Sequence, residues 1–239
     1  MIDTKVKHIL NFSGGKDSTA MLIRMLEENM QVDEIIFCKI MATKEIGAEL
    51  PETYEYINKI NDYIKQKYNK EITVITQEKS FEDYFYTKKI RGKRVGQIYG
   101  FPAISYAWCN KVLKVNILKN YLKTKGNHIS YIGIAADEEK RLKRLKDNEC
   151  SMLEKWNMTE KDCLDFLKQR NLENPLYNKN HDRLGCWFCP KQSTKTLKIL
   201  KNEYPNLWEK LLQWQRDSPF PFRINTTIYE LDKKITKDK

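Results

Sequence analysis

Two short stretches carry residues whose types and spacing suit chemistry. Ser13-Gly14-Gly15-Lys16-Asp17-Ser18 follows a β-type run and opens a helical pattern. Its glycines let backbone N–H groups approach an anion closely. The first turn of the helix adds free N–H groups and the positive end of a dipole, and Lys16 adds a full charge. The stretch reads as a phosphate cradle, yet it is neither Gly-x-x-x-x-Gly-Lys-Ser/Thr nor Gly-x-Gly-x-x-Gly. The second stretch is Gly185-Cys186-Trp187-Phe188-Cys189-Pro190, in which two intervening residues let both thiolates face one metal centre. Six cysteines stand at 38, 109, 150, 163, 186 and 189. In a reducing compartment, Cys-x-x-Cys with a distant partner reads as a metal or redox arrangement, not as part of three disulfides.

The elements that must position these residues alternate between two periods. Val6 to Phe12 is a short β-type run, and Met21, Leu22, Met25 and Leu26 then recur at helical spacing. Asp33 to Met41 reads as a buried strand. Ile57, Ile60, Ile64 and Tyr68 mark one face of a long helix that begins at Pro51 and Glu52. Glu71 to Thr76 gives a third strand and His128 to Ala135 a fourth. Strands separated by helices need crossover connections, so the expected class is α/β, a Rossmann-like, mostly parallel sheet with helices on both faces. Ligands in such folds bind beyond the carboxyl ends of the strands. Phe81 to Trp108, rich in glycine and basic residues and without periodicity, is expected as a mobile loop over a site. After Lys146 the character changes, and Thr159 with Asp162 opens a helix through Arg170. The expected organisation is a nucleotide-binding α/β domain over 1–147, a helical region carrying the cysteine knuckle over 148–232, and a frayed basic tail over 233–239.

With 43 Lys and Arg against 32 Asp and Glu, the net charge is +11, which points to an anionic partner. Arg91, Lys93, Arg94, Lys140, Arg141, Lys143 and Arg144, with Tyr99 and Trp108 nearby in sequence, form a candidate rim for a nucleic-acid backbone. Lys140 to Lys146 reads equally well as the exposed face of a helix whose apolar side is Leu142 and Leu145. Hydrophobic residues at 41% exclude a disordered chain. No stretch approaches the roughly 18 apolar residues of a membrane helix, and no apolar block of a signal peptide is seen, so the expected location is cytoplasmic.

Ser13 to Ser18 is similar to the pyrophosphate loop of the N-type ATP pyrophosphatases, or adenine nucleotide α-hydrolases, in which ATP is split between its α and β phosphates. The resemblance implies that Ser13, Gly14, Gly15, Lys16 and Ser18 hold the pyrophosphate and that Asp17 helps to place Mg²⁺. Gly47-Ala48-Glu49-Leu50-Pro51-Glu52-Thr53 resembles the Gly-x-Glu-x-Pro-Glu-Thr segment of the phosphoadenosine phosphosulfate (PAPS) reductase family. Trp108-Cys109 with Lys111 and Lys114, Gly133-Ile134 with Asp137, Glu138 and Arg141, and the knuckle at Cys186 and Cys189 follow that family in order. By this resemblance Glu49 and Gly133 join the loop in binding nucleotide, and Lys16, Asp17 and Arg141 act in catalysis. Cys109, Cys186 and Cys189 would hold a [4Fe-4S] cluster close to the nucleotide, although Zn²⁺ accepts the same thiolates. Cys150 is a candidate fourth ligand. Cys38 in a strand and Cys163 on an amphipathic helix face are expected in the core.

One departure bears on the reaction. PAPS and adenosine phosphosulfate reductases attack sulfur with a cysteine near the carboxyl terminus, and here no cysteine follows Cys189. The resemblance therefore leads to an ATP-dependent sulfurtransferase. Its acceptor is adenylated at the loop, pyrophosphate leaves, and sulfur displaces AMP. DNA or tRNA is a candidate acceptor, with a protein as sulfur donor. Two alternatives stand beside it: a reductase whose thiol comes from another chain, and a non-catalytic nucleotide- or nucleic-acid-binding module.

Overall fold

In the computed structural model, which describes residues 6–103, 107–179, 181 and 183–237, regular structure begins with β1 (Lys7–Phe12), α1 (Lys16–Glu27), β2 (Glu34–Cys38), α2 (Pro51–Tyr68) and β3 (Ile72–Ile75). There follow α3 (Phe81–Phe85), α4 (Trp108–Asn110), a π-helical turn (Lys111–Val115), α5 (Asn116–Lys123) and β4 (His128–Ile132). The chain continues through α6 (Glu139–Leu142), β5 (Glu149–Cys150), α7 (Met152–Lys155), α8 (Glu160–Lys168) and α9 (Pro175–Asn178). It closes with α10 (Thr194–Glu203), α11 (Pro205–Asp217) and α12 (Ile228–Lys237). The residues fall into two units that are discontinuous in sequence. One comprises Met1–Lys39, Pro51–Ile75 and Ile117–Asn178; the other comprises Ile40–Leu50, Thr76–Asn116 and Lys179–Lys239. The break expected at 147/148 is not where contacts divide the chain, because 148–178 pack with the sheet.

The first unit is built on a parallel sheet in the order β3-β2-β1-β4-β5. Side chains alternate across a strand, so one parity faces one layer. Leu10, Phe12, Ile35, Phe37 and Tyr131 join a buried cluster with Met21, Leu22 and Met25 of α1 and Ile57, Ile60 and Ile64 of α2. On the other parity, the Glu34 carboxylate accepts from the Tyr121 hydroxyl of α5 and, at 2.9 Å, pairs with the Lys125 ammonium. Helices therefore cover both faces, as the alternating pattern predicts. β1 lies between β2 and β4. The chain leaves it toward one side and returns on the other, which makes the carboxyl ends of β1 and β4 the switch point where ligands bind in such sheets. α8 opens with the expected capping box: the Asp162 N–H donates to Thr159 Oγ1 at 3.2 Å, and the Asp162 carboxylate accepts from the Thr159 N–H at 2.9 Å.

The second unit has an aromatic core. Phe81 lies against Trp108 (5.3 Å between centroids), Phe188 (4.2 Å) and Trp214 (5.1 Å), and Trp187 stacks on Trp214 at 5.3 Å and 7°. This corrects the reading of Phe81 to Trp108 as one irregular loop. Ser80 and Asp83 form a capping box that starts α3, and Phe81 and Phe85 are fully buried. The irregular part begins after Phe85, and residues 104–106 of it lie outside the described residues. The expected tail is likewise helical through Lys237, because Leu231 and Ile235 at helical spacing are buried; residues 238–239 lie outside the described residues.

Candidate active site

The loop after β1 closes on itself. Gly14 takes φ +74°, the left-handed region that favours glycine, and a Cβ there would stand 3.1 Å from Ile57. The Ser18 hydroxyl is buried. It accepts from the Ser13 N–H at 3.1 Å, pairs with the Ser13 hydroxyl at 2.9 Å and donates to the Gly15 carbonyl at 3.1 Å. Gly15 is the N-cap of α1 and supplies no capping side chain, so the first-turn N–H groups have no acceptor within the helix or from a cap. The Lys16 N–H donates to the Tyr177 hydroxyl of α9 at 3.2 Å. At the end of β4, a Cβ on Gly133 would lie 2.7 Å from both N and Cα of Ser18. Gly133 is thus the residue that lets α1 abut the strand end.

Beside the loop stands a trio of carboxylates. Asp17, Glu138 and Glu160 each offer an oxygen, all within 4.8 Å of one another. Asp17 Oδ1 is buried without a hydrogen bond, 3.5 Å from Lys16 Nζ. Burial pushes the Asp17 carboxyl up to about 6, with Glu160 and Glu138 adding repulsion against the attraction of Lys16. Burial opposes the charge on Lys16, but its 2.7 Å bond to Glu160 and the neighbouring Asp17 outweigh it and raise the ammonium above its ordinary value. An orphaned carboxylate oxygen among three acids is a donor set of hard oxygens, which fits a divalent cation such as Mg²⁺. Arg141, expected as catalytic, places Nη1 2.6 and 2.8 Å from the two oxygens of Glu138; it holds one member of the trio and is itself about half exposed.

In the second unit the knuckle is fastened to the 47–48 segment. The Trp187 N–H donates to the Ala48 carbonyl at 2.9 Å and its indole N–H to the Gly47 carbonyl at 2.9 Å. The Cys189 N–H and the Gln192 amide both donate to the Cys186 carbonyl, which closes the turn. Arg223 clamps the far side, donating to the Pro190 carbonyl at 3.0 Å and to the Gln192 carbonyl. Cys109 lies in α4, directly before the π-helical turn, an irregularity frequent at functional sites. Burial pushes the Cys109 thiol up to about 11, with Cys189 adding to the rise and Lys191 opposing it. Burial raises Cys186 well above the ordinary thiol value, with Glu49, Cys189 and Cys109 adding and Lys114 opposing. Thiolates at Cys109, Cys186 and Cys189 are the ligand type that a metal or iron–sulfur cluster takes, although among the described residues their sulfurs do not all lie within 4.8 Å of one another as the oxygens of the carboxylate trio do. Glu49, expected among the nucleotide-binding residues, belongs to this unit, where it faces Cys186, Lys114 and Arg183.

The remaining cysteines are in the first unit. Cys38 and Cys163 are buried side chains. Cys150, a candidate fourth ligand in the sequence reading, is in β5, registered opposite Tyr131 and packed against the sheet core. The basic residues of the candidate rim divide as well: Arg91, Lys93 and Arg94 are in the second unit, whereas Lys140, Arg141, Lys143 and Arg144 are in the first. Sequence reasoning missed Glu160 and Tyr177 as neighbours of the loop. The signal for Glu160 was its place directly after the Thr159 cap; Tyr177 had none beyond an aromatic in a connection.

The chain belongs to the PAPS reductase family: the model of the phosphoadenosine phosphosulfate reductase domain matches residues 7–192. Two uncharacterized proteins of Methanocaldococcus jannaschii are 26% and 27% identical to it over 217 and 212 residues, covering 83% and 84% of this chain. The chain spans less than half the length of each, 39% and 45%. An uncharacterized nin region protein, ORF290 of Escherichia phage lambda, is 27% identical over 206 residues, 80% of this chain and 68% of its own. Among solved structures, the U34-tRNA thiolase NcsA from Methanococcus maripaludis with its [4Fe-4S] cluster is similar at 17% identity. That likeness covers 98% of this chain and 71% of the thiolase, with a TM-score of 0.48. No helix among the described residues is long and apolar enough to cross a membrane.

Proposed function

We propose that this chain is an ATP-dependent sulfurtransferase that forms AMP and pyrophosphate. The observation that carries the reading is the buried Asp17 Oδ1, 3.5 Å from Lys16 Nζ but without a hydrogen bond, within the trio of carboxylates beside a helix N-terminus that has no side-chain cap. Binding of ATP places its pyrophosphate on the N–H groups of the loop, with Lys16 balancing negative charge there. Asp17, Glu138 and Glu160 would hold Mg²⁺, which neutralises charge on the leaving pyrophosphate. Arg141 keeps Glu138 turned toward its two neighbours. Lys16 shares Glu160 with the cation site, so a carboxylate taken up there leaves the ammonium to the phosphates. The acceptor oxygen attacks the α phosphorus, its bond to pyrophosphate breaks, and sulfur at the sulfide level then replaces that oxygen, which departs with AMP.

Cys109, Cys186 and Cys189 would hold a [4Fe-4S] cluster that supplies an iron site for the incoming sulfide. Lys114, Lys191 and Arg223 offset the negative charge of three thiolates, and Trp187 holds the knuckle in place. Incubation with Mg²⁺, ATP and sulfide in the presence of tRNA or DNA is expected to release AMP and pyrophosphate and to leave sulfur on the acceptor. Formation of ADP overturns the proposal. Release of sulfite from PAPS or adenosine phosphosulfate with thioredoxin assigns the chain to the reductases instead.

A further inference from the structure

The second unit contains a cavity of about 370 Å³ that neither the phosphate loop nor the thiols use. Its walls are flat: Tyr99, Phe101, Trp108, Phe220 and Phe222 line it. Its charged lining is entirely cationic, consisting of Lys89, Arg94 and Arg223 with no carboxylate among the described lining residues. The Arg94 guanidinium sits 4.6 Å from the Phe220 centroid, and Lys89 Nζ is 4.7 Å from Phe220 and 5.5 Å from Tyr99. The volume is within the ~300–1,000 Å³ of small-ligand sites. Aromatic planes with cations beside them bind one chemistry well: a flat π-system that carries a negative charge on a short tether.

We propose that this cavity takes one unstacked nucleobase and its phosphate from single-stranded nucleic acid. The base stacks against the aromatic walls, and Lys89 and Arg94 meet the phosphate. Burial together with the charge of Arg94 depresses the Lys89 ammonium, and an entering phosphate relieves that repulsion. The cavity adjoins the thiol centre through two residues. Trp108 precedes Cys109, and Arg223 holds the Pro190 and Gln192 carbonyls that end the knuckle. The position suits a subsite that presents an acceptor base to the thiols. That use rests on the transferase reading, whereas binding itself does not.

The test is fluorescence anisotropy of the full chain with labelled single-stranded DNA and RNA ten-mers, without ATP and at low and moderate salt. Arg94→Ala, on an exposed side chain, and Phe220→Ala are expected each to weaken binding about tenfold or more. Lys119→Ala, an exposed cation of the other unit outside the candidate rim, serves as the control for nonspecific charge. Equal losses in Arg94→Ala and Lys119→Ala, or no loss in Phe220→Ala at unchanged thermal stability, overturn the proposal. So does displacement of the ten-mer by a mononucleotide at the same concentration as by unlabelled ten-mer, which makes the ligand a free nucleotide. Whichever of the DNA and RNA probes binds more tightly names the acceptor type. Binding that persists while no pyrophosphate is released sinks the transferase reading alone.

Discussion

Replacing Asp17 by Asn should make the metal-free protein more stable at neutral pH, although the residue stands at the centre of the candidate active site. The Asp17 carboxyl moves from 3.8 in a free side chain to about 6 in the fold. For an acid with a raised value the sign is as follows. Stability is greatest below the unfolded value, falls as pH rises from about 4 to about 6, and stays low above. A shift of about two units at 1.36 kcal/mol each costs the native state about 3 kcal/mol at pH 7.5. Lys16, 3.5 Å away, is already counted in that net cost. Asn has nearly the same shape and carries no charge. At about 2–4 °C per kcal/mol for a chain of this length, Asp17→Asn should raise Tm by several degrees at pH 7.5 in EDTA. At pH 4 the wild-type carboxyl is protonated in the fold, so the gap should shrink to under about 1 kcal/mol. Mg²⁺ should raise the wild-type Tm at pH 7.5 and move the Asn variant far less. Differential scanning calorimetry at the two pH values reads all three effects. A lower Tm for Asp17→Asn at pH 7.5, or the same difference at both pH values, would refute the assignment of Asp17 as a buried carboxylate awaiting a cation.

Two further sets of substitutions probe the scaffold and the thiols. Gly133→Ala sets a methyl 2.7 Å from backbone atoms of Ser18, which cannot swing aside, so urea denaturation should show a loss of about 1–3 kcal/mol; an unchanged midpoint would mean that α1 does not abut β4 as described. After anaerobic reconstitution, iron should fall sharply in Cys109→Ala, Cys186→Ala and Cys189→Ala and stay near wild type in Cys150→Ala and Cys163→Ala. Iron loss in Cys150→Ala as deep as in Cys186→Ala would return Cys150 to the ligand set, and stoichiometric zinc with no iron would replace the cluster.

Much of the first unit was legible because its signals are local. A short apolar run, a glycine turn and a helical period at Met21, Leu22 and Met25 suffice to announce β1, the loop and α1, and Thr159 with Asp162 announces α8. β5 was not legible: two residues, Glu149 and Cys150, leave no period to read. The second unit was hidden by its makeup. Segments 40–50, 76–116 and 179–239 meet only in space, and its core is aromatic, so Phe81, Trp187 and Trp214 look in sequence like scattered rings amid basic residues. The knuckle cysteines were recognisable from spacing alone. Their fastening to Gly47 and Ala48 depends on hydrogen bonds across 140 positions of chain and has no local mark.

The same distinction changes the role of the serines in the loop. A Ser in a phosphate loop suggests a hydroxyl aimed at phosphate, but Ser18 is 3% exposed and spends its hydroxyl on Ser13 and Gly15. Its carbon and nitrogen, meanwhile, are what Gly133 makes room for. Ser18 thus braces the loop from behind, while Gly15 offers the first turn of α1 no capping side chain and the Lys16 N–H donates to the Tyr177 hydroxyl. A loop held by its own interior bonds loses little further freedom when an anion arrives, so binding energy is not spent on ordering it. The acidic trio follows the opposite logic, because three carboxylates within 4.8 Å repel one another even with Lys16, Arg141 and the Ala135 N–H beside them, and Asp17 Oδ1 has no hydrogen bond. In the proposed site the loop is braced by its own hydrogen bonds before any ligand binds, whereas the carboxylate side is the part whose energy a cation would relieve. Nucleotide affinity should therefore depend on divalent cation far more than the shape of the loop does.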